Sequence, residues 1–307
     1  MYAQTTNKLI MIRPAAFGYN AQTALSNAFQ RNAKTKGIHE KALLEFDNMV
    51  QKMRANGIFV DLFQDTKNHT KPDAIFPNNW MSLHHDGTLV LYPMLAINRR
   101  LERRTDILER LGSSYSIKRI VDFTDSETEG RFLEGTGSIV FDHTNRIAYG
   151  CLSPRTNETL LAELCSVLNY RPVTFHAYDT TGKPIYHTNV LMAIGHKWVV
   201  CCLEAVESTE RKMLEHHFLK NGLEIIPISI MQMEHFAGNL LEVFNSENKP
   251  YILLSQTAYD SLDETQKMKL ESYAALLPFA IPTIEHIGGG SVRCMLAENF
   301  LPYATLS

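Results

Sequence analysis

"GSIVFDHTNRIAYGCL" (residues 137–152) is two β-rich runs around a polar turn, the pattern of a β-hairpin. The pattern returns along the chain. "NVLMAIGHKWVVCCL" (189–203) turns at Gly195-His196-Lys197, and "GNLLEVFNSENKPYILLS" (238–255) turns at Asn245-Ser246-Glu247-Asn248. "MSLHHDGTLVLYP" (81–93) turns at Asp86-Gly87, a strong hairpin dipeptide. A shorter version begins inside "EHIGGGSVRCMLAENFLP" (285–302). The starts at 81, 138, 189, 238 and 289 lie 57, 51, 49 and 51 residues apart. A near-constant spacing of this size signals a repeat architecture.

Amphipathic helices fill the gaps. "EKALLEFDNMVQKMRANG" (40–57) puts Leu43, Leu44, Phe46, Met49, Val50 and Met53 on one stripe, with Gly57 as a left-handed cap. Further helices are expected in "NRRLERRTDILERLG" (98–112, stopping at Gly112), "TNETLLAELCSVLN" (156–169), "ESTERKMLEHHFLKNG" (207–222) and "SLDETQKMKLESYAALL" (261–277). A strand follows each helix: "IFVDLF", "RIVDF", "PVTF", "LEIIPIS" and "FAIPTI". The last hairpin is incomplete, and "KLIMIRP" (8–14) is the candidate for its missing strand. That pairing would close a ring and leave few free sheet edges. The expectation is one α/β domain over residues 1–307, a five-bladed propeller of strand-strand-helix-strand units. A doubly wound sheet, the main rival, does not explain a hairpin before every helix.

With 307 residues, 45% of them hydrophobic and 21% charged, the chain can bury a large core. A formal net charge of −3 gives no electrostatic footprint for nucleic acid or an acidic membrane surface. The densest basic run, "NRRLERR" (98–104), carries Glu102 and is expected as a solvated helix face. No apolar run reaches the roughly 18–20 residues of a membrane span. "MYAQTTNKLIMIRP" has no signal-peptide pattern. Cys151, Cys165, Cys201, Cys202 and Cys294 form no CxxC or regular framework, as expected of reduced thiols in a cytoplasmic protein. The expected partner is a small molecule, and self-association into a homo-oligomer is left open.

In a ring of repeats, equivalent positions crowd around the axis. The hairpin starts carry Asn78-Asn79-Trp80, Glu134-Gly135-Thr136-Gly137, His187-Thr188-Asn189, Gly238-Asn239 and Gly290-Ser291, with Cys294 just inside the fifth. A carboxylate, an imidazole and a thiol thus arrive in phase. A thiolate is a strong nucleophile, and an imidazole beside it can favour its formation and later protonate a leaving amine. Gly288, Gly289 and Gly290 would let a planar substrate group approach the backbone. The other thiols read as packing residues: Cys201-Cys202 point to opposite sheet faces. His84-His85 and His216-His217 are adjacent in sequence, which gives no shared helix face for a metal.

The ordered set "LEGTGS", "YHTN" and "GGGSVRCM" resembles the guanidino-group-modifying, or pentein, superfamily of five-bladed α/β propellers. Its members include arginine deiminases, dimethylarginine hydrolases and amidinotransferases, and the resemblance covers essentially the whole chain. "FPNNW", "YPMLAINRR", "LSPRT" and "GGGSVRCMLAE" are most similar to its citrulline-utilisation hydrolase branch, related to arginine deiminases and amidinotransferases. The resemblance implies Cys294 as nucleophile, His187 as acid/base and Glu134 as a substrate-binding carboxylate. It implies no cofactor and no metal. Arg155 in "LSPRT" and Arg99 or Arg100 in "INRR" match arginines of the deiminase pattern, and a guanidinium fork suits a substrate carboxylate.

One departure bears on the substrate. Arginine deiminases carry Asp in an Arg-Asp and a His-x-Asp motif, where this chain has Asn78-Asn79 and His187-Thr188-Asn189. A buried guanidinium needs charged partners. An amide offers both a donor and an acceptor, which suits a neutral ureido group. Asn79, Asn189 and Gly290 are therefore the expected contacts to the reacting group. The expected reaction is hydrolysis of citrulline to ornithine, carbon dioxide and ammonia through a covalent Cys294 adduct. Arginine or methylarginine hydrolysis is the alternative, with Asp73 in "KPDAIFPNNW" as a relocated carboxylate. A non-catalytic binding propeller is the rival of another class. No protease signature surrounds Cys294.

Overall fold

Each hairpin forms where its turn chemistry places it. The computed structural model describes residues 3–32 and 36–304. β1 (Lys8–Arg13) lies parallel to β2 (Phe59–Gln64), and the helix Ile38–Ala55 crosses between them. β3 (Met81–Leu83) and β4 (Thr88–Leu91) are antiparallel around Gly87, whose φ of 87° requires glycine. Asp86 accepts the Thr88 N–H at 2.9 Å, fixing the turn. β5 (Arg119–Asp122) then pairs parallel to β4. The same order gives β6 (Ile139–Asp142), β7 (Ile147–Cys151) and β8 (Arg171–Phe175), then β9 (Met192–Ile194), β10 (Trp198–Cys201) and β11 (Glu224–Pro227). β12 (Leu241–Phe244), β13 (Pro250–Ser255) and β14 (Ala275–Phe279) complete the series. β15 (Ala297–Glu298) pairs antiparallel with β1, Leu9 opposite Glu298 and Ile10 opposite Ala297.

Among the described residues the strands thus form five separate three-stranded sheets, each with one antiparallel and one parallel pairing. Neighbouring units touch in sequence. β15 contacts β3, the turn Gly135–Ser138 contacts β3, β6 contacts β9, and β9 contacts β12. Phe244 of β12 donates its N–H to Thr6 O at 3.2 Å, joining the fourth unit to the segment before β1. "KLIMIRP" therefore does complete the incomplete last unit. No helix among the described residues is long and apolar enough to cross a membrane.

Four expected elements differ. "NRRLERR" is not a solvated helix face: Ile97–Glu102 is a 3-10 turn in which Arg99 and Glu102 are each only 2% exposed. A bidentate ion pair between them lets both charges turn inward. The following helix spans Thr105–Ser114, so Gly112 lies within it. The helix expected through Leu277 ends at Glu271, and the next strand begins at Ala275 instead of Phe279. Tyr251 pairs with Ala275 in a parallel ladder, and Pro282 opens a helix to Gly288 where "FAIPTI" was to continue as strand. The fifth hairpin start is a 3-10 turn, Val292–Met295, leading into β15.

Leu9, Ile10 and Met11 are fully buried, and β1 is the centre strand of its sheet. The expected result of native-state hydrogen exchange is that the Leu9–Ile12 amides exchange only with global unfolding. Rapid exchange there would show that the pairing with β15 does not hold the unit together.

Candidate active site

The turns that begin the units carry the polar residues. Gly135–Ser138 starts just after Glu134, and Thr188–Leu191 just after His187. Glu134 is wholly buried, and its Oε1 accepts the Leu95 N–H at 3.0 Å. Its Oε2 lies 2.8 Å from His187 Nε2 and 3.3 Å from Arg155 Nη1. Burial opposes the charge on Glu134, but Arg155, the His187 hydrogen bond and Arg99 together hold its carboxyl far below the usual range. An ionised carboxylate only accepts, so Nε2 carries the His187 proton and Nδ1 presents its lone pair. Burial brings His187 down to about 4, although Glu134 pulls the other way. The imidazole is therefore neutral at pH 7.

Gly137 explains how the imidazole fits. A Cβ there would lie 2.4 Å from Asn79 Nδ2 and 2.7 Å from the His187 ring. Only glycine leaves room for both side chains. The three glycines before Cys294 are also closely packed: a Cβ on Gly288 would meet Phe76 at 2.9 Å, and Gly289, at φ 63°, lies against Gln30.

Cys294 is buried, and two amides donate to its Sγ: Asn189 Nδ2 at 3.5 Å and Asn239 Nδ2 at 3.3 Å. Burial pushes the thiol up, partly offset by the Ser291 backbone contact, Asn239, Arg293 and Asn189. The resting pair is thus a neutral thiol and a neutral imidazole, not the imidazolium neighbour expected to favour thiolate. Cys294 and His187 line one cavity of about 20 Å³ together with Asn79, Arg99, Arg155 and Gly290. Asp73, Tyr186, Thr23 and Asn27 line it too.

Arg99 gives Nη1 to Asn79 Oδ1 at 2.7 Å and grips Glu102 with Nε and Nη2. Arg155 lies over the Tyr186 ring and donates to Thr23 O and Ser26 Oγ. Arg100 points elsewhere, to Met94 O and Glu127, and does not line the cavity. Asp73 takes Asn20 and Thr23 on Oδ2, while its buried Oδ1 has no partner.

Three contributors had no assigned role in the sequence. Asn239 stands in phase with Asn79 and Asn189 at a hairpin start, so the repeat could have found it. Thr23 and Asn27 come from the aperiodic segment before the first helix, which carries no such signal. Among the described residues no group of three or more His, Cys, Asp or Glu side chains is arranged to hold a metal ion. The site as built can supply a thiol, a neutral base, an anion fixing that base, and amide contacts to a planar group.

The family model for eukaryotic N,N-dimethylarginine dimethylhydrolases matches residues 13–301. No curated protein sequence matches the chain. Among solved structures, the N-terminal domain of ArgZ, covalently bound to a reaction intermediate, aligns with a TM-score of 0.74 at 17% identity. The alignment covers 96% of this chain and 99% of that domain. Full-length ArgZ, an arginine dihydrolase from the ornithine–ammonia cycle in cyanobacteria, gives a TM-score of 0.74 at 17% identity. That match takes in 98% of this chain, which spans only 42% of ArgZ. DDAH from Pseudomonas aeruginosa, a cysteine-to-serine variant complexed with citrulline, aligns at 0.65 and 14% identity over 97% of this chain and 100% of its own. Fold and family model agree: the chain belongs to the eukaryotic-type N,N-dimethylarginine dimethylhydrolase family, within the pentein superfamily of guanidino-group-modifying proteins.

Proposed function

We propose that the chain is a cysteine-dependent hydrolase of a C–N bond in an arginine-derived amino acid, converting citrulline to ornithine, carbon dioxide and ammonia. One observation carries the substrate choice. Asn79 commits Oδ1 to Arg99 and leaves Nδ2 without a partner, while Asn189 turns Nδ2 to the thiol and leaves Oδ1 without one. One free donor and one free acceptor match a ureido group, whereas a guanidinium only donates. The free Oδ1 of Asp73 suits the α-ammonium group, and Arg155 suits the α-carboxylate.

The cavity has room for about one water molecule. Binding citrulline therefore requires residues 20–30 to move and Arg155 to exchange Thr23 and Ser26 for the substrate carboxylate. The thiol proton passes to His187 Nδ1, and Sγ attacks the ureido carbon. His187 then protonates the departing ornithine nitrogen, leaving an S-carbamoyl cysteine. A water deprotonated by His187 hydrolyses this thiocarbamate, expelling sulfur, which regains its proton from His187, and releasing carbamate, which yields carbon dioxide and ammonia. Glu134 keeps the imidazole in the required tautomer throughout.

Arginine or dimethylarginine is the second reading, favoured by the unpaired Asp73 oxygen as a guanidinium partner and by ArgZ, named an arginine dihydrolase. Citrulline hydrolysis would correspond to the second half of such a double hydrolysis. The contacts between successive units support a single closed propeller domain over residues 1–307. The five free thiols support a reducing, cytoplasmic setting.

Incubation with citrulline, arginine and dimethylarginine, with separation of products, tests the assignment. Ornithine and ammonia from citrulline are expected, and Cys294→Ser is expected to fold and lose turnover. Ornithine production by the serine variant at the native rate would remove the thiol from the mechanism.

Substrate choice is tested by Asn79→Asp, which keeps the acceptor for Arg99 and replaces the free donor with an acceptor. The ratio of kcat/KM for arginine over citrulline is expected to rise by about ten- to a hundred-fold. An unchanged ratio in a folded variant would separate Asn79 from ureido recognition.

The neutral resting pair sets the pH dependence. His187, held down to about 4, is neutral above that pH and charged below it. Activity should therefore fall as pH drops through this value, because a protonated imidazole cannot take the thiol proton. Iodoacetamide labelling of Cys294 in the free protein should climb about ten-fold per pH unit between roughly pH 6 and 8, without a plateau. A plateau by neutral pH would reveal a resting thiolate.

A further inference from the structure

We infer that Asn239 is a catalytic residue, the amide that stabilises the Cys294 thiolate once the proton has left for His187. The inference rests on Cys294 being the nucleophile proposed above. Asn239 is fully buried and stands at the start of the fourth unit, just before β12. Its side chain has no freedom left. Oδ1 accepts the Arg293 N–H at 2.9 Å, and Nδ2 donates to Asn189 O at 2.8 Å. The second hydrogen on Nδ2 faces Cys294 Sγ at 3.3 Å. A flipped amide would turn an oxygen toward sulfur and lose both backbone contacts. The orientation that offers a donor to sulfur is thus fixed by two backbone groups on either side of the site.

A sulfur anion accepts such a hydrogen bond more strongly than a thiol does, so the contact favours the state formed by proton transfer. Charged and titratable groups also stand near the thiol. Asp73, Arg99, Arg155, Tyr186 and His187 share the cavity with Cys294. Arg293, on the thiol's own turn, directs its guanidinium to Leu296 O and Glu298. Among the described residues the side-chain donors to Sγ are the amides of Asn189 and Asn239, of which Asn239 is the nearer; the Ser291 backbone also favours the thiolate. Asn189 keeps an unpaired Oδ1, while every polar atom of the Asn239 side chain is already engaged. Asn239 therefore serves the nucleophile, leaving substrate recognition to Asn79 and Asn189.

The test is the pH profile of iodoacetamide labelling at Cys294, alongside steady-state kinetics, in Asn239→Ala and Asn239→Asp. Thermal unfolding confirms that each variant is folded. The alanine variant is expected to need a pH about one to two units higher for the same labelling rate, with kcat lower by about ten- to a hundred-fold and KM unchanged. Asn239→Asp keeps the shape and the acceptor for Arg293 N–H but replaces the donor with a carboxylate, so its profile should move at least as far. It also serves if the alanine variant does not fold. A labelling profile that coincides with the native one in a folded variant overturns the inference, as does a rise in KM with kcat unchanged. If the native protein turns over none of the three amino acids, the proposed function fails. A shifted labelling profile would still support the role of Asn239 toward the thiol.

Discussion

The buried Glu134 carboxylate is the contact on which the arrangement of the site depends. It sits between the first, second and third units, accepting Leu95 N–H, His187 Nε2–H and one N–H of Arg155. A buried charge survives only when its lone pairs are met, and here two of the partners, His187 and Arg155, line the cavity. The hydrogen bond to Nε2 leaves the imidazole lone pair on Nδ1. The ion pair with Arg155 anchors one edge of that guanidinium while its other edge faces the segment containing Thr23 and Ser26. Removing this anion would leave a buried cation unpaired and the imidazole without a fixed tautomer.

The amides give the site a different electrostatic character from a pocket lined by carboxylates. Asn79, Asn189 and Asn239 stand at the starts of three units, yet each spends its two polar atoms differently. Asn79 is held by its oxygen, Asn189 by its nitrogen, and Asn239 by both. What is left unpaired is a mixed donor–acceptor surface beside a neutral thiol and a neutral imidazole.

The repeat was legible because its signal is local: Asp86-Gly87, Asn145-Arg146 and Asn245–Asn248 carry turn chemistry, and apolar alternation flanks them. Strand positions in three units followed directly, and the pairing of residues 8–13 with the last unit followed from counting. Boundaries decided by tertiary contacts were not legible. Ala275 looks like the end of an amphipathic helix until Tyr251 is known to lie beside it. "NRRLERR" looks solvated because nothing in the sequence shows that Arg99 and Glu102 satisfy each other out of water. In the site, residues in phase with the repeat could be collected in advance. Thr23 and Asn27 could not, because they reach the cavity from a segment with no period. Asn20 and Gln30, which hold Asp73 and Gly288 O, come from the same segment.

The pairing of β1 with β15 has a consequence for how the molecule forms. It joins Leu9 to Glu298, a contact of very large sequence separation, and such contacts form slowly because a long loop must be closed first. Cys294 lies just before that strand. A ribosome adding residues in order makes Glu134 and His187 long before Cys294, and the thiol sits beside a strand whose partner, β1, was made first. Placing Cys294 between its two amides is thus a late event. Partly folded chains would carry an accessible Cys294 thiol, open to oxidation.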